Sequence, residues 1–346
     1  MNESIPVIEE DNDCFQNYEE SDRILLGVVA FPFLLFGLSA NFISLKIFLH
    51  KLMRLQTLNW YLMIISISDS GILLGAFFVL TLPRISELLV YASTVKMSYH
   101  LAPFMYGIMT VAQTVSVWMN TVMSLHRFIG VCVPFRASNI LTPGNVKRVI
   151  GGVLIGAALF NMSRFFEVTV ADNCFAEYFN AEIPRLSTTN LRDNVVYKMI
   201  FYEWSYTLFM FVIPFTILII VNTAVIIAVH RSRKIHAKLN VYADDVRRQD
   251  LAKEISTSIM LVAIVLAFLC CNTLTFVVNI LEKLEWNSAY RTTVPYANLF
   301  VIINSIINMC IYCLFSDKYR QLFWFYVRLM PCRGKNGQFE AVFNNH

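Results

Sequence analysis

The chain has 346 residues, of which 57% are hydrophobic and only 15% are charged, and its mean hydropathy is +0.56. Soluble domains carry about a quarter charged residues, and one soluble domain cannot bury several uncharged runs of about 20 apolar residues. The composition therefore excludes a water-soluble protein and predicts an all-α membrane protein with several spans. The net charge of +4 is small and gives no sign of a nucleic-acid partner.

The N-terminal segment, residues 1–23, is polar and acidic and contains too little apolar sequence to fold alone. It lacks the basic, apolar and small-residue pattern of a cleaved signal peptide, so we expect the first apolar run to insert as a signal anchor. Asn2 begins an Asn-Glu-Ser glycosylation sequon, and the alternative is a chance match near the terminus.

Seven apolar runs follow, and they predict a seven-transmembrane helix bundle over residues 24–315. Each run has about the 20 residues that a helix needs to cross ~30 Å of hydrocarbon. Prolines interrupt or border several runs, which is tolerated where neighbouring helices satisfy the freed backbone groups. The predicted runs are 24–49, 58–82, 103–133, 147–168, 198–229, 256–281 and 293–315.

Basic residues are unevenly distributed between the segments that connect the runs. The third run has no charged residue from Tyr106 until His126 and Arg127 near its end. Lysine and arginine are concentrated after the first, third, fifth and seventh runs, with the largest group at 231–253. Because cytoplasmic segments are enriched in these residues, we expect a multi-pass protein of the plasma membrane with an extracellular N-terminus.

The last segment, residues 316–346, is predicted to be cytoplasmic and to begin with a short interfacial helix. The stretch from Asp317 onward is rich in aromatic and basic residues but too short to span a bilayer. Cys332 beside it is a candidate palmitoylation site, and the alternative is a plain free cysteine. None of the 8 cysteines has partners at the spacing of a zinc cluster.

The chain resembles the rhodopsin-like G-protein-coupled receptors over nearly its whole length, and the resemblance is most specific at individual residues within the runs. The matching residues are Asn41 in GLSAN, Asp69 in ISISDS, Arg127 in SLHRF, Pro214 in FVIPF, and Asn308 and Tyr312 in NMCIY. The resemblance implies a receptor without catalytic residues that signals to a heterotrimeric G protein, with arrestin and membrane lipids as further partners.

A carboxylate in mid-membrane is costly unless it has partners, so Asp69 should face the interior of the bundle. The resemblance implies that Asp69 forms a polar network with Asn41, Ser116, Asn304 and Asn308, in which oxygen atoms coordinate a structural Na⁺. Asp69 is then the metal ligand, and the alternative is a hydrated network without an ion. No other cofactor is expected.

Arg127 has the position of the arginine that, in these receptors, is held in the resting state and engages the G protein when the sixth helix moves outward. Tyr312 belongs to the same switch. His126 replaces the acid that usually precedes the arginine, so the restraining ion pair is missing and we expect raised basal signalling. The sixth helix also departs from the family pattern, because Asn272 replaces its usual tryptophan.

In these receptors a disulfide joins the outer end of the third helix to the second outer loop. Ala102 stands at the helix position here, whereas Cys174 lies in the corresponding loop. The resemblance leads us to predict a bridge between Cys174 and Cys14, the other cysteine in an outer segment. The alternative is two free thiols.

The resemblance also narrows the ligand class. Met109 stands where amine receptors have an aspartate, and Ile302 stands where opsins have a lysine, so amine and retinal ligands are disfavoured. The stretches NMSRFFEV, FLCCNTLTFVVNILE and NSIINMCIYCLFSDKYRQLF resemble the invertebrate FMRFamide-type neuropeptide receptors. This likeness implies an extracellular peptide ligand, amidated and ending in Arg-Phe.

Such a peptide needs a partly buried carboxylate for its guanidinium and aromatic walls for its ring. For every candidate acid, the alternative is an exposed carboxylate at the end of a loop. The candidate ligand-binding residues are Glu203, Glu282, Glu167, Gln113, Tyr206 and Tyr296.

Other functions remain as alternatives at this point. A chemosensory receptor for small molecules shares the fold and does not need outer acids. A transporter or channel is more remote, since the sequence has no internal repeat and its one internal acid stands nearly alone. A membrane hydrolase would need clustered catalytic groups, and the 6 histidines are scattered.

Overall fold

The computed structural model describes residues 19–239 and 245–329, with the backbone alone at residues 202, 203, 232–239, 245–254 and 329. Long helices pack side by side into a bundle, and a short helix follows them. The long helices are α1 (Glu20–Leu49), α2 (Thr57–Leu88), α3 (Ala92–Cys132), α4 (Pro143–Phe160), α5 (Ile213–Leu239), α6 (Asp245–Lys283) and α7 (Asn287–Phe315), and the short helix is α8 (Asp317–Leu329).

Within the described residues, 6 of the long helices are long and apolar enough to cross a membrane. The remaining one, α3, has 41 residues and packs against α2, α4 and α5. It is less apolar because it buries polar side chains such as Thr110, Ser116 and Asn120 inside the bundle. The predicted seven-helix bundle with its short C-terminal helix is therefore confirmed.

A β-hairpin interrupts the helical pattern between α4 and α5. It consists of β1 (Val168–Ala176) and β2 (Ala181–Thr188), which pair antiparallel. Asn180 makes the turn with a φ of 45°, a left-handed conformation that asparagine tolerates better than most residues. The hairpin packs on the start of α3, where Tyr99 contacts its buried face beside Ile183. We call this end of the bundle the hairpin end and the opposite end the α8 end.

Short helical segments complete the connections. Two π-helical segments precede α5, and the turns of these segments are wider than those of an α-helix. The short segments are Lys51–Arg54, Pro134–Ile140, Met162–Phe166, Glu177–Phe179, Asn190–Asp193 and Val195–Tyr197, and the π-helical ones are Lys198–Ser205 and Leu208–Val212.

The fourth run, predicted as 147–168, ends within a few residues of the span Pro143–Phe166, but the last part of that span is not α-helical. The run was expected to continue to residue 168, but α4 ends at Phe160 and β1 begins at Val168. Asn161 is fully buried, and its side chain donates to Thr114 Oγ1 on α3 (2.8 Å) and to its own helix. The β-branched residues that follow favour a strand. Apolar character alone therefore did not predict where the α-helix ends.

Several helices extend beyond their predicted runs. α3 begins at Ala92 and contains Pro103, which was expected to border the run. α7 begins at Asn287 and contains Pro295. These helices continue past the part that must be apolar to lie in the hydrocarbon. Because the extensions contain polar and charged residues, the apolar runs did not predict them.

Aromatic side chains fix α8 against the bundle. Phe48, Tyr312 and Tyr319 form a cluster with ring centroids 5.3 to 5.6 Å apart. The hydroxyl of Tyr319 lies 2.6 Å from Ser44 Oγ on α1. Because all four side chains are buried, α8 has one well-defined position against α1 and α7.

Two ion pairs join α1 to α2 at the hairpin end, one with its arginine on α2 and the other with its arginine on α1. Arg84 pairs with Asp22 (2.8 Å), and Arg23 pairs with Glu87 (3.4 Å). Glu87 is fully buried, so Arg23 helps to compensate a charge that would be costly by itself. The last residues of the predicted acidic tail therefore belong to α1.

Gly75 on α2 lets α3 approach closely. A Cβ atom at this position would lie 2.6 Å from Met109 Cβ and 3.2 Å from the carbonyl oxygen of Met105. We predict that Gly75→Ala lowers the melting temperature of the purified protein in detergent by about 3 °C or more, because overpacking costs about 1–3 kcal/mol.

The matched control is Gly156→Ala on α4, where a Cβ atom would meet nothing within 4 Å. Because alanine favours helix over glycine, this variant should melt at the wild-type temperature or above it. Equal melting temperatures for the two variants would contradict the close approach of α2 and α3.

Candidate functional site

Asp69 forms the centre of a polar network that joins α2, α3 and α7. Its side chain is fully buried and accepts hydrogen bonds from Ser116 Oγ (3.2 Å) and Asn308 Nδ2 (2.8 Å). Asn41 on α1 donates to the backbone carbonyl of Ser305 on α7 (2.8 Å). The structure thus places Ser116 and Asn308 in direct contact with Asp69 and connects Asn41 to the same stretch of α7.

Buried polar atoms without a partner lie between this network and the α8 end. Among the described residues, Asn120 Oδ1, Ser124 Oγ and Tyr312 Oη are buried and have no hydrogen-bond partner. Buried polar groups are normally satisfied. These three atoms therefore need water, an ion or a rearrangement of the helices.

Arg127, near the C-terminal end of α3, is tied to α6. Its Nε donates to Ser258 Oγ (3.1 Å), and its Nη2 makes a shorter contact with the same oxygen. His126 packs instead against the ring of Tyr61 on α2, with centroids 5.4 Å apart. A buried hydroxyl on α6 thus holds the arginine, which has no acid beside it in the sequence.

A small cavity lies between α3, α6, α7 and the segments around the start of α5. Its volume is about 20 Å³, and its apolar wall includes Phe211 and Phe268. Two predicted ligand residues line it together with two members of the predicted ion network. The residues that contribute polar groups to its lining are Gln113, Ser116, Tyr206, Asn272, Thr275 and Asn304.

The other predicted ligand residues have different surroundings. Glu282 is partly buried at the end of α6 and lies close enough to Tyr206 and Tyr290 to interact with them electrostatically. The side chain of Glu203 lies outside the described residues. Tyr296 is 49% exposed and does not line the cavity.

Glu167 has partners within the protein. Its fully buried carboxylate pairs with Arg164 (3.1 Å) and Arg192 (3.5 Å) and accepts a hydrogen bond from Tyr197 Oη (2.7 Å). Arg164 precedes the hairpin, whereas Arg192 and Tyr197 follow it. Glu167 therefore holds together the chain on both sides of the hairpin, which is a structural arrangement and not that of an acid open to a ligand.

The Glu167 cluster is also connected to the cavity. Burial raises the pKa of Tyr197 to about 12, and its hydroxyl donates to the carboxylate of Glu167. The guanidinium of Arg164 lies 5.2 Å from the ring centroid of Tyr206, which is a cation–π contact. Because Tyr206 lines the cavity, Arg164 links the two sites.

Cys174 on β1 is disulfide-bonded, whereas Cys132, Cys270, Cys271, Cys310 and Cys313 are free. Its partner therefore lies outside the described residues, as the predicted partner Cys14 does. The pairing of Cys174 with Cys14 stays a prediction. Asn2 and Cys332, predicted for glycosylation and palmitoylation, lie outside the described residues as well.

Sequence reasoning missed three residues that the structure places at these sites. Thr275 could have been predicted from the sequence, because it follows Asn272 by three positions and so lies on the same helix face. Arg164 could also have been predicted, since its spacing of three from Glu167 suits an ion pair on a helical turn. Ser258 could not, because its partner belongs to another helix.

The Glu167 cluster should contribute strongly to stability. Glu167→Gln leaves the guanidinium of Arg164, which is 3% exposed, without its carboxylate, and breaking a buried pair in this way costs about 3–5 kcal/mol. We therefore expect the melting temperature in detergent to fall by about 5 °C or more.

The matched control is Asp317→Asn, because Asp317 pairs with Arg320 at the same sequence spacing on the surface. Exposed pairs of this kind contribute about 0–1 kcal/mol, so this variant should melt close to the wild type. A loss in Glu167→Gln no larger than in the control would contradict the structural role.

Comparison with known proteins adds to this geometry. The family model described as "7 transmembrane receptor (rhodopsin family)" matches residues 40–312. The chain is 26% identical over 338 residues to the "Probable G-protein coupled receptor frpr-1" of Caenorhabditis elegans, covering 92% of this chain and 83% of that protein.

Two further relatives carry the name of a ligand. The chain is 26% identical over 320 residues to the "FMRFamide receptor" of Drosophila melanogaster, covering 90% of this chain and 56% of that protein. It is 27% identical over 322 residues to the "FMRFamide peptide receptor frpr-18" of Caenorhabditis elegans, covering 89% and 70%. Because the family model extends over most of the chain, from α1 to the end of α7, the chain belongs to the rhodopsin family of seven-transmembrane receptors.

Proposed function

We propose that the protein is a G-protein-coupled receptor of the plasma membrane that responds to an extracellular neuropeptide, amidated and ending in Arg-Phe. The similarity to two proteins named as FMRFamide receptors, over 90% and 89% of this chain, carries the proposal. The N-terminus and the hairpin end face the outside in this account, and the α8 end faces the cytoplasm.

The hairpin end supports a ligand with one cation and one aromatic ring. Glu282 is a partly buried carboxylate that interacts electrostatically with Tyr206 and Tyr290, so this end of α6 has an acid and aromatic side chains, the groups that suit a guanidinium. Glu203, in the π-helical segment before α5, is the second acid of the proposal. Glu167 is left out, since its own arginines neutralise it.

The α8 end supports a switch between α3 and α6. Arg127 is bonded to Ser258 in the conformation described. Outward movement of α6 would break these bonds and release the guanidinium to contact the C-terminus of a G-protein α-subunit, and arrestin would use the same opening. The buried hydroxyl of Tyr312, which has no partner among the described residues, would be free to gain one in the rearrangement.

The direct test is a calcium and cAMP assay in cells that express the protein, against a panel of amidated Arg-Phe peptides. We predict a response in the wild type and its loss in Arg127→Ala, with peptide binding retained. Lys46→Ala, which removes an exposed cation of α1, should respond as the wild type does. Silence of the wild type despite confirmed surface expression would contradict the proposal, and activation by small odorants alone would favour a chemosensory receptor.

The restraint on Arg127 predicts the level of basal signalling. A hydrogen bond to a charged group contributes about 1.5–3 kcal/mol, so Ser258→Ala should raise ligand-independent signalling several-fold. His126→Asp should lower it, because it adds an acid beside the guanidinium. Ser39→Ala is the control, since Ser39 is exposed and bonds within its own helix. Unchanged basal output in both switch variants would contradict this restraint.

We also propose that the Asp69 network holds a sodium ion. Asp69, Ser116, Asn304 and Asn308 offer carboxylate, hydroxyl and amide oxygens, which are the donors that hard cations prefer. The partnerless Oδ1 of Asn120 lies one helical turn from Ser116 and is a further acceptor. A bound ion would supply the positive charge that a buried carboxylate needs.

Ligand linkage provides the test of the sodium proposal. The melting temperature of the purified receptor should rise when sodium chloride replaces N-methylglucamine chloride at equal ionic strength, because an ion that binds the folded state stabilises it. Asp69→Asn should abolish the rise. The absence of a rise in the wild type, or an equal rise in the variant, would favour a hydrated network without an ion.

A further inference from the structure

The cavity between α3, α6 and α7 has a polar side, and one of its members, Asn304, also belongs to the proposed sodium network. Four side chains form this polar side: Gln113 from α3, Asn272 and Thr275 from α6, and Asn304 from α7. We call this set the amide floor, because three of its members are side-chain amides.

The amide floor has hydrogen-bonding capacity that the described protein groups do not satisfy. Thr275 Oγ1 is buried without a partner among the described residues. Asn272 donates from Nδ2 to the carbonyl of Phe268 in its own helix (2.8 Å), which leaves its Oδ1 as an acceptor. Gln113 makes no side-chain hydrogen bond with any described residue. Donors and acceptors from three helices thus converge on one space.

The sequence explains why this space exists. Asn272 and Thr275 contribute small side chains to the lining, whereas Phe211 and Phe268 form its apolar wall. Thr275 follows Asn272 by three residues on the same helix face. Because a buried polar group without a partner is unfavourable, Thr275 Oγ1 indicates an occupant that satisfies it, and the amides of Gln113, Asn272 and Asn304 line the same space.

The chemistry of the lining selects a neutral group with both donors and acceptors. A primary carboxamide has two N–H donors and a carbonyl acceptor, which is the complement of side-chain amides and a hydroxyl. No lysine or arginine is among the lining residues that the structure describes, so a carboxylate would be buried there without a cation, which is strongly unfavourable. The volume of about 20 Å³ is room for about one water-sized group, so in this conformation the space admits the end of a terminal group and not a ring.

We propose that the amide floor binds the C-terminal carboxamide of the peptide ligand. The inference rests on the proposed function, since it requires an amidated peptide, and it specifies which residues read the amide. The guanidinium of the peptide, one residue before its C-terminal end, is then left to the acids nearer the hairpin end, with Glu282 as the described one.

The experiment compares the most potent amidated peptide of the panel with the same peptide carrying a free C-terminal carboxylate. In the wild type, the amide should be more potent than the acid by about 100-fold or more, because sites built for hydrogen bonds reject poor complements strongly. Asn272→Leu and Thr275→Val keep the number and branching of the side-chain heavy atoms and remove the polar groups. Each should weaken the amide by about tenfold while leaving the acid nearly unchanged, which lowers the potency ratio.

The control is Thr273→Val, because Thr273 is exposed on the same helix and its hydroxyl bonds to the carbonyl of Leu269 (2.6 Å). Its potency ratio should equal that of the wild type, with all values normalised to receptor at the cell surface. A wild-type response whose ratio stays unchanged in both Asn272→Leu and Thr275→Val would overturn this inference alone. No wild-type response to any amidated peptide would overturn the proposed function and this inference together.

Discussion

A carboxylate inside a bilayer is costly unless other side chains of the bundle bond to it. The packing of the helices around Asp69 depends on these hydrogen bonds. The two oxygens of Asp69 accept from Ser116 on α3 and Asn308 on α7, so one buried acid joins three helices. Ser116 also lines the cavity, whereas Asn308 lies one turn before Tyr312. The network therefore stands between the site proposed for the ligand and the switch proposed for the G protein.

Charged side chains have different partners at the two ends of the bundle. At the hairpin end the fully buried acids Glu87 and Glu167 are paired with arginines of the same chain, and they fix the architecture around the cavity. At the α8 end Arg127 is held by the neutral hydroxyl of Ser258. Buried ion pairs at one end and a hydrogen bond to a hydroxyl at the other would suit the proposed receptor, whose binding site stays formed while α6 moves.

Much of the fold followed from the sequence because the bilayer imposes a strong and local requirement. Long apolar runs predicted the seven helices, and the aromatic and basic stretch after them predicted α8. The end of α4 was placed too late because apolar residues continue after Phe160, and the contact of Asn161 with Thr114 is a tertiary one. The hairpin lies almost wholly in the segment predicted as an outer loop, for which no strand was predicted. Helix ends that project beyond the hydrocarbon were missed for a related reason, since nothing requires them to be apolar.

The candidate site was predictable only in part. Asp69, Ser116 and Asn308 were grouped correctly because an intramembrane acid needs partners, and the family resemblance named them. Glu167 is paired with arginines from both sides of the hairpin. A local sequence pattern cannot predict such contacts, so it cannot predict whether this acid is open to a ligand. Equilibrium binding of an amidated Arg-Phe peptide to the purified receptor, with and without a G protein, would test the proposed function directly. We predict saturable binding that becomes about 5- to 150-fold tighter when the G protein is present. The absence of saturable binding by correctly folded receptor, or an affinity that the G protein leaves unchanged, would contradict the account.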